Sequence, residues 1–431
     1  MYAVSDKYLE AIHLAERYVD IKGRITFKNG AVVAVSNNTF QEASLYINKK
    51  AVDSDDLNAG SVYASELGVS VFYNKSDYKS FIGAKIELYF GIELTLGQED
   101  FEYVPLGAYY VDTVEKGQGV VKLIAYDSML KFDKEYSYKG KQATIYEHLS
   151  DICSKCGVTL GMSKTDVEKL PSGNTAPVIN PENLVGRYTP CETYRDAISI
   201  IAAHSGSFAY IGRDNKLYLK QIKNEAPVYK LTNEQIFSAK IIDCSPNITL
   251  VSYTTKNNKD ISVGNETGRK FIVDTDNQFF ENGGEKEISR ILTQIYNSMG
   301  SISYYPSEIT WSGDPALDLG DYILLPEYEG GCKTYITGIN WKYRGKSKIL
   351  SAGKENSLSV RSNLSGSIAG IVDGLNDLNK TVQEIASGGG KSDHYTTTAN
   401  YFDKLIKTTS RVVPIVYEES EETEWVISIN Q

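Results

Sequence analysis

Residues 109–126 decide the fold: Tyr109-Tyr110-Val111-Asp112-Thr113-Val114-Glu115-Lys116, then Gly117-Gln118-Gly119, then Val120-Val121-Lys122-Leu123-Ile124-Ala125-Tyr126. Strand-like runs lie on both sides of a glycine turn, the pattern of an antiparallel hairpin. The arrangement returns near the other end of the chain, as Tyr335-Ile336-Thr337-Gly338-Ile339, a turn at Arg344-Gly345, and Lys348-Ile349-Leu350. Residues 334–343 and 346–351 are therefore expected to pair as a second hairpin. Matching hairpins at both ends predict two similar β-barrels.

Outward from the first hairpin, strand-like runs cover 19–22, 24–27, 69–73 and 85–90, with a turn at Lys28-Asn29-Gly30 and a short helix over 8–14. Residues 1–135 thus read as a first β-barrel-like domain. Residues 236–355 read as a second, interrupted by one amphipathic helix whose Ile288, Leu292, Ile295 and Met299 share a face before Gly300. Between them, residues 136–235 form a small α+β domain. Thr144-Ile145-Tyr146-Glu147 is a capping box and Gly157 a C-cap. Thr189-Pro190-Cys191-Glu192 is a second box, with proline at the first helical position. That helix runs to about His204, and residues 207–212 and 216–222 then pair across Arg213-Asp214-Asn215.

From residue 356 the pattern changes. Leu364, Ile368, Ile371, Leu375, Leu378, Val382 and Ile385 follow one another at alternating spacings of four and three, up to Gly388-Gly389-Gly390. This is a coiled-coil seam over 356–390, with Leu364, Ile371, Leu378 and Ile385 at d and Ile368, Leu375 and Val382 at a. Isoleucine at d with mixed aliphatics at a shifts preference away from parallel dimers, and a homotrimer is the expected state. The alternative is an amphipathic helix folded back on its own domain. Gly366, Gly370 and Gly374 each weaken the helix by about 1 kcal/mol relative to alanine, which favours a helix that gains partners. Residues 391–431 read as a small C-terminal tip segment, its Glu418–Glu424 stretch as a solvated acidic loop. The fold class is mainly β with an α+β insert: two similar β-barrel domains, a helix-plus-hairpin domain and a C-terminal trimeric coiled coil.

Composition agrees. The 431 residues include 31 Tyr and 35 Gly but 4 Met, a balance that leans toward strands and turns. A net charge of −10 argues against a free-standing nucleic-acid binder. No apolar run reaches the roughly 18 residues of a membrane helix, and Met1–Lys7 has no apolar signal core. Five scattered cysteines are not a disulfide framework and fit a reducing cytoplasm. Cys153-x-x-Cys156 has the spacing of a zinc half-site or redox pair, but both lie on the apolar stripe of Ile145, Leu149 and Ile152, and no second half-site follows. Buried thiols are expected there.

No phosphate loop, dinucleotide fingerprint or His-Glu-x-x-His occurs. Gly366-Ser367-Ile368-Ala369-Gly370 places its serine one position early for a nucleophile elbow. His148 and His204 sit at the edges of apolar helix faces, and a Cys191–His204 pair would lie on one packing helix. No catalytic, cofactor-binding or metal-binding residue is assigned, and the chain is expected not to be an enzyme.

Several stretches resemble the tail-hub, or baseplate-hub, proteins of tailed bacteriophages, which also form the N-terminal part of tail-associated lysins. They are Tyr103-Val104-Pro105-Leu106-Gly107-Ala108-Tyr109-Tyr110-Val111-Asp112 with Leu123-Ile124-Ala125-Tyr126-Asp127-Ser128-Met129-Leu130-Lys131-Phe132-Asp133. The helix and hairpin of residues 193–219 are similar to those of the family, as is Tyr305-Pro306-Ser307-Glu308-Ile309 with Pro315-Ala316-Leu317-Asp318-Leu319-Gly320-Asp321. The likeness covers residues 1–355. It implies a virion protein at the tail tip, assembled in the bacterial cytoplasm, in which three chains with two barrels each adapt six-fold tail-tube rings to a three-fold tip. It also implies a channel for DNA ejection, with tail-tube or distal-tail ring proteins, the tape-measure protein and a tip or spike protein as partners and DNA only in passing. A net-negative ring would offer phosphates no contacts. A phage-derived bacteriocin or injection particle fits equally. The rivals are a tail-associated cell-wall hydrolase with an unmarked carboxylate pair, and a receptor- or carbohydrate-binding tip suggested by the tyrosines.

Overall fold

A computed structural model of the chain describes residues 1–353 apart from 53–56, 74, 138–141, 178–190, 243–244, 256, 274–276 and 327–330, and of 278 and 281–283 the backbone alone. The chain divides into two compact units, Met1–Ala369 and Gly370–Gln431. All described residues belong to the first. The seam residues Leu364, Ile368, Ile371, Leu375, Leu378, Val382 and Ile385 lie outside the described residues, as does the 391–431 segment.

The first β region opens with α1 (Asp6–His13), capped by Ser5, whose Oγ accepts from the Tyr8 amide. Its strands are β1 (Val19–Thr26), β2 (Val32–Ser36), β3 (Tyr46–Lys50), β4 (Asn58–Ala59), β5 (Glu66–Phe72), β6 (Lys85–Glu93), β7 (Phe101–Lys116) and β8 (Val120–Tyr126). The β7–β8 hairpin forms across its glycine turn as expected, with Tyr110 opposite Tyr126 and a register shift between Val111 and Thr113. Val121, Leu123 and Ala125 point into the core while Val120, Lys122, Ile124 and Tyr126 remain partly exposed.

In the middle region, α2 (Ile145–Cys156) carries the Thr144–Glu147 capping box, and Gly157 closes it at φ 65°. Then come β9 (Thr159–Leu160), α3 (Lys164–Glu168), α4 (Tyr194–His204), β10 (Ser207–Ile211) and β11 (Lys216–Gln221). The α4 helix starts later than the Thr189 box implies. Thr193 is the cap, paired reciprocally with Asp196, so a shorter acid takes the role expected of Glu192. Thr189 and Pro190 lie outside the described residues.

The last region contains β12 (Tyr229–Lys230), β13 (Ile236–Ile241), β14 (Ile248–Thr254), β15 (Asp260–Gly264), β16 (Arg269–Val273), α5 (Gln278–Met299), β17 (Ser307–Trp311), β18 (Tyr322–Leu324), β19 (Lys333–Tyr335), β20 (Gly338–Lys342) and β21 (Ser347–Ser351). Ile288, Leu292, Ile295 and Met299 of α5 are buried on one face, as their spacing predicts, and the helix is interrupted at Gly284. The expected strand 334–343 is two strands in different sheets. At Ile336-Thr337 the backbone turns to other partners: the Ile336 amide donates to Asp321 O, and Thr337 O accepts from the Ala51 amide.

Eleven strands form one sheet in the order β13-β17-β21-β20-β3-β5-β8-β7-β6-β1-β2. Strand β3 joins the two β regions, pairing with β20 on one side and β5 on the other. Two cores lie against this sheet, and a third fills the middle region. The first two exchange residues. Trp341 and Tyr343 pack in the first, Trp341 edge-on to Phe90 at 5.7 Å, while Ala51, Val52, Leu57 and Ala59 pack in the second, where β4 pairs with β16. Burying a side chain the size of Val52 or Leu57 contributes about 1.5–3 kcal/mol, so both regions depend on segments lent by the other.

Candidate functional site

Three of the motifs quoted above meet at Arg213. Its side chain leaves the β10–β11 turn and reaches both β regions. Nη1 donates to Pro105 O at 2.7 Å; Nη2 donates to Pro315 O at 2.6 Å, Leu317 O at 3.1 Å and Asp318 Oδ1 at 2.7 Å; Nε donates to Asp318 Oδ2 at 3.3 Å. A planar five-donor fork suits such a site, and a lysine could not reproduce it. Pro105 is presented by a bulge. Leu88 pairs with Gly107 and Tyr89 with Pro105, leaving Leu106 unmatched, and Gly107 adopts φ 111°. Proline has no amide to lose there.

Other charges complete the junction. Lys49 Nζ lies 3.6 Å from Asp318, and Asp321 Oδ1 takes both Lys220 Nζ at 3.1 Å and the Met1 amino group at 2.7 Å. Burial pushes the Asp318 carboxyl up, but Arg213 and Lys49 outweigh it and hold it down at about 2. Asp127 differs. Burial lifts it to about 6 even though its oxygens accept from the Met129 amide at 2.9 Å and the Ser65 amide at 3.0 Å. Lys49, Asp127 and Arg213 line one small polar cavity of about 10 Å³. Asp314 is also buried, accepting from Tyr8 Oη at 2.9 Å and the Ala316 amide at 2.8 Å, which ties α1 to the same loop.

The second feature is the exposed face of the eleven-stranded sheet, where charges are paired from β17 to β1. Lys348 meets Glu308 at 2.6 Å, Lys122 meets Glu115 at 3.0 Å, and Glu87 takes both Arg24 at 2.8 Å and Lys85 at 2.7 Å. Glu66 accepts from Tyr46 and Tyr126 hydroxyls at 2.8 and 3.0 Å. Tyr103 donates to Asp20 at 2.9 Å while Lys22 sits 3.1 Å over its ring. Exposed pairs of this kind add little to stability, so their main effect is neutralisation. Net charge is therefore a poor guide to this surface.

The side chains considered for chemistry have structural surroundings. Cys153 and Cys156 are buried in the third core, and burial pushes the Cys153 thiol up to about 12, far from a reactive thiolate. Cys191 donates to Thr193 O, before α4; His204 ends that eleven-residue helix, roughly 16 Å along its axis. His204 contacts Thr175 Oγ1 at 3.0 Å and packs edge-on to Phe279, and burial lowers its pKa to about 3. His148 contacts Pro177 O at 2.9 Å. Among the described residues no three His, Cys, Asp or Glu are grouped to hold a metal, and no helix is long and apolar enough to cross a membrane. Arg213 and Lys49 were not singled out by sequence; a turn arginine carries no sign of partners a hundred residues away.

No known protein-family profile matches the chain, and no curated protein matches it in sequence. Solved structures do. One is a 43 kDa tail protein of prophage MuSo2 from Shewanella oneidensis, 14% identical, with 78% of this chain and 98% of that one aligned at a TM-score of 0.44. Another is the phage P2 baseplate in its activated conformation with Ca, 11% identical, with 79% of this chain and 100% of that one at a TM-score of 0.29. A third is a virion of a native gene transfer agent particle, 9% identical, with 50% and 78% aligned at 0.22. The solved structures to which this chain is similar thus include phage and prophage tail and baseplate proteins.

Proposed function

We propose that the chain is a non-enzymatic structural subunit of a phage-type tail: a homotrimeric hub whose two β regions let three chains present six similar walls to the tail tube. The observation that carries this reading is the single sheet from β13 to β2, which draws strands from both regions and is charge-paired along its exposed face. A wall of that kind suits a conduit for a polyanion because carboxylates hold Arg24, Lys85, Lys122 and Lys348 and compete with phosphate for them. The Arg213 junction fits the same role by fixing the middle region against both β regions. The seam from Leu364 to Ile385 would hold the three chains together and direct the tip. Tail-tube or distal-tail rings, the tape-measure protein and a tip or spike protein are the partners this role requires, within a virion, a bacteriocin or an injection particle.

The test is mass and shape. Full-length protein should scatter light as about three times 47.8 kDa and show a ring in negative stain. Replacing Ile371 and Leu378 together by glutamate should yield monomers with an unchanged far-UV spectrum over the β regions. A full-length chain that stays monomeric at tens of micromolar, or a trimer indifferent to both substitutions, overturns the proposal.

A further inference from the structure

A second surface is built differently from the paired sheet face. The β6–β7 turn and the segment entering β1 enclose an open cleft of about 790 Å³ lined by Glu16, Tyr18, Glu93, Leu96, Glu99 and Phe101. Two of its apolar members are largely uncovered: Tyr18 is 56% and Leu96 48% exposed. Among the described residues none of Glu16, Glu93 and Glu99 forms an ion pair, whereas Glu87, Glu115 and Glu308 of the sheet face do. Arg17 is turned away, donating to Ile12 O and Ser312 O.

The turn is held in shape. Asp100 accepts from the Thr95 amide at 2.8 Å, Leu94 donates to Asp100 O at 2.9 Å, and buried Glu93 accepts from the Glu99 amide at 2.7 Å. That last bond holds Glu99 at φ 56°, a left-handed conformation uncommon outside glycine. Leu96 is thereby displayed at a rigid tip instead of collapsing onto the strand. An exposed apolar patch rimmed by one sign of charge marks an interaction site. Its complement is a chain segment that offers lysine or arginine beside an aliphatic or aromatic side chain.

We propose that this cleft docks a cationic, apolar peptide segment of a partner protein, with Leu96, Tyr18 and Phe101 taking its apolar side chains and Glu16 and Glu99 its cations. The proposal stands apart from the trimer, since no residue of the seam takes part. The probe is a short fluorescein-labelled peptide of alternating lysine and leucine, with a glutamate–leucine peptide as control, added to the full chain while anisotropy is followed. Saturable binding of the lysine peptide alone is expected. Glu16→Gln with Glu99→Gln should weaken it about ten-fold, as should raising salt from 50 to 500 mM. Leu96→Ser should weaken it further. All three positions are exposed, so unchanged melting temperatures will show that the variants fold. Equal binding of both peptides, no binding at millimolar peptide, or affinity indifferent to these substitutions overturns the proposal. So does self-association lost in Leu96→Ser, which would assign the cleft to a second copy.

Discussion

Arg213→Ala is the sharpest perturbation the structure offers. The side chain is 9% exposed and gives five hydrogen bonds to four acceptor groups: Pro105 O, Pro315 O, Leu317 O and the Asp318 carboxylate. Removing one partner of a buried ion pair costs about 3–5 kcal/mol because the other charge is left without compensation. Asp318 retains Lys49 at 3.6 Å and is 25% exposed, which places the expected loss near the lower limit, about 3 kcal/mol. Urea denaturation at pH 7 should report this loss. A double-mutant cycle with Asp318→Asn should give a coupling energy of about 2 kcal/mol, within the range for residues that share a network. Arg213→Lys should recover less than half, since an ammonium cannot span three carbonyls and a carboxylate. The wild type should lose stability as pH falls from 4 toward 2, because Asp318 titrates below its unfolded value; Arg213→Ala should lose less over that window. A variant within 1 kcal/mol of wild type, or a coupling energy near zero, refutes the idea that this guanidinium holds the three regions together.

Asp127 predicts the opposite pH dependence. Its folded pKa of about 6 lies above the unfolded value, so its contribution is fully present below pH 4 and is lost as pH rises through 6. Asp127→Asn should flatten denaturation midpoints across that interval. Gly23→Ala should destabilise the protein by about 2–3 kcal/mol, measured in the same way, because a Cβ there would lie 2.1 Å from the Glu87 backbone carbonyl and only a break in the β1–β6 ladder makes room. Tyr46→Phe, which removes one of the two tyrosine donors to Glu66, should cost about 1 kcal/mol by the same assay. On peptidoglycan zymograms the full chain should leave no clearing zone; a zone abolished by a single Asp or Glu substitution would instead favour the hydrolase.

What the sequence disclosed was local. The Thr144 box, the Gly157 cap, the buried face of α5 and the 109–126 hairpin each depend on residues a few positions apart, and all are present. Long-range partners were not legible. Residues 334–343 read as one strand, yet the chain divides at Ile336-Thr337, where Asp321 and Ala51 supply other backbone partners. Strand β3 was not read as the link between the β regions; its Asn48–Asn340 contact joins residues 292 positions apart. Arg213 resembled an ordinary turn residue for the same reason.

The exchange of segments between the two large cores has a mechanical consequence. Pulling the β regions apart would extract Trp341 and Tyr343 from one side and Leu57 and Ala59 from the other, while the β3–β20 ladder is loaded along its length. Neither half can yield first and leave its neighbour intact. Under tension the unit should fail in one step, transmitting force without stretching until both halves give way together.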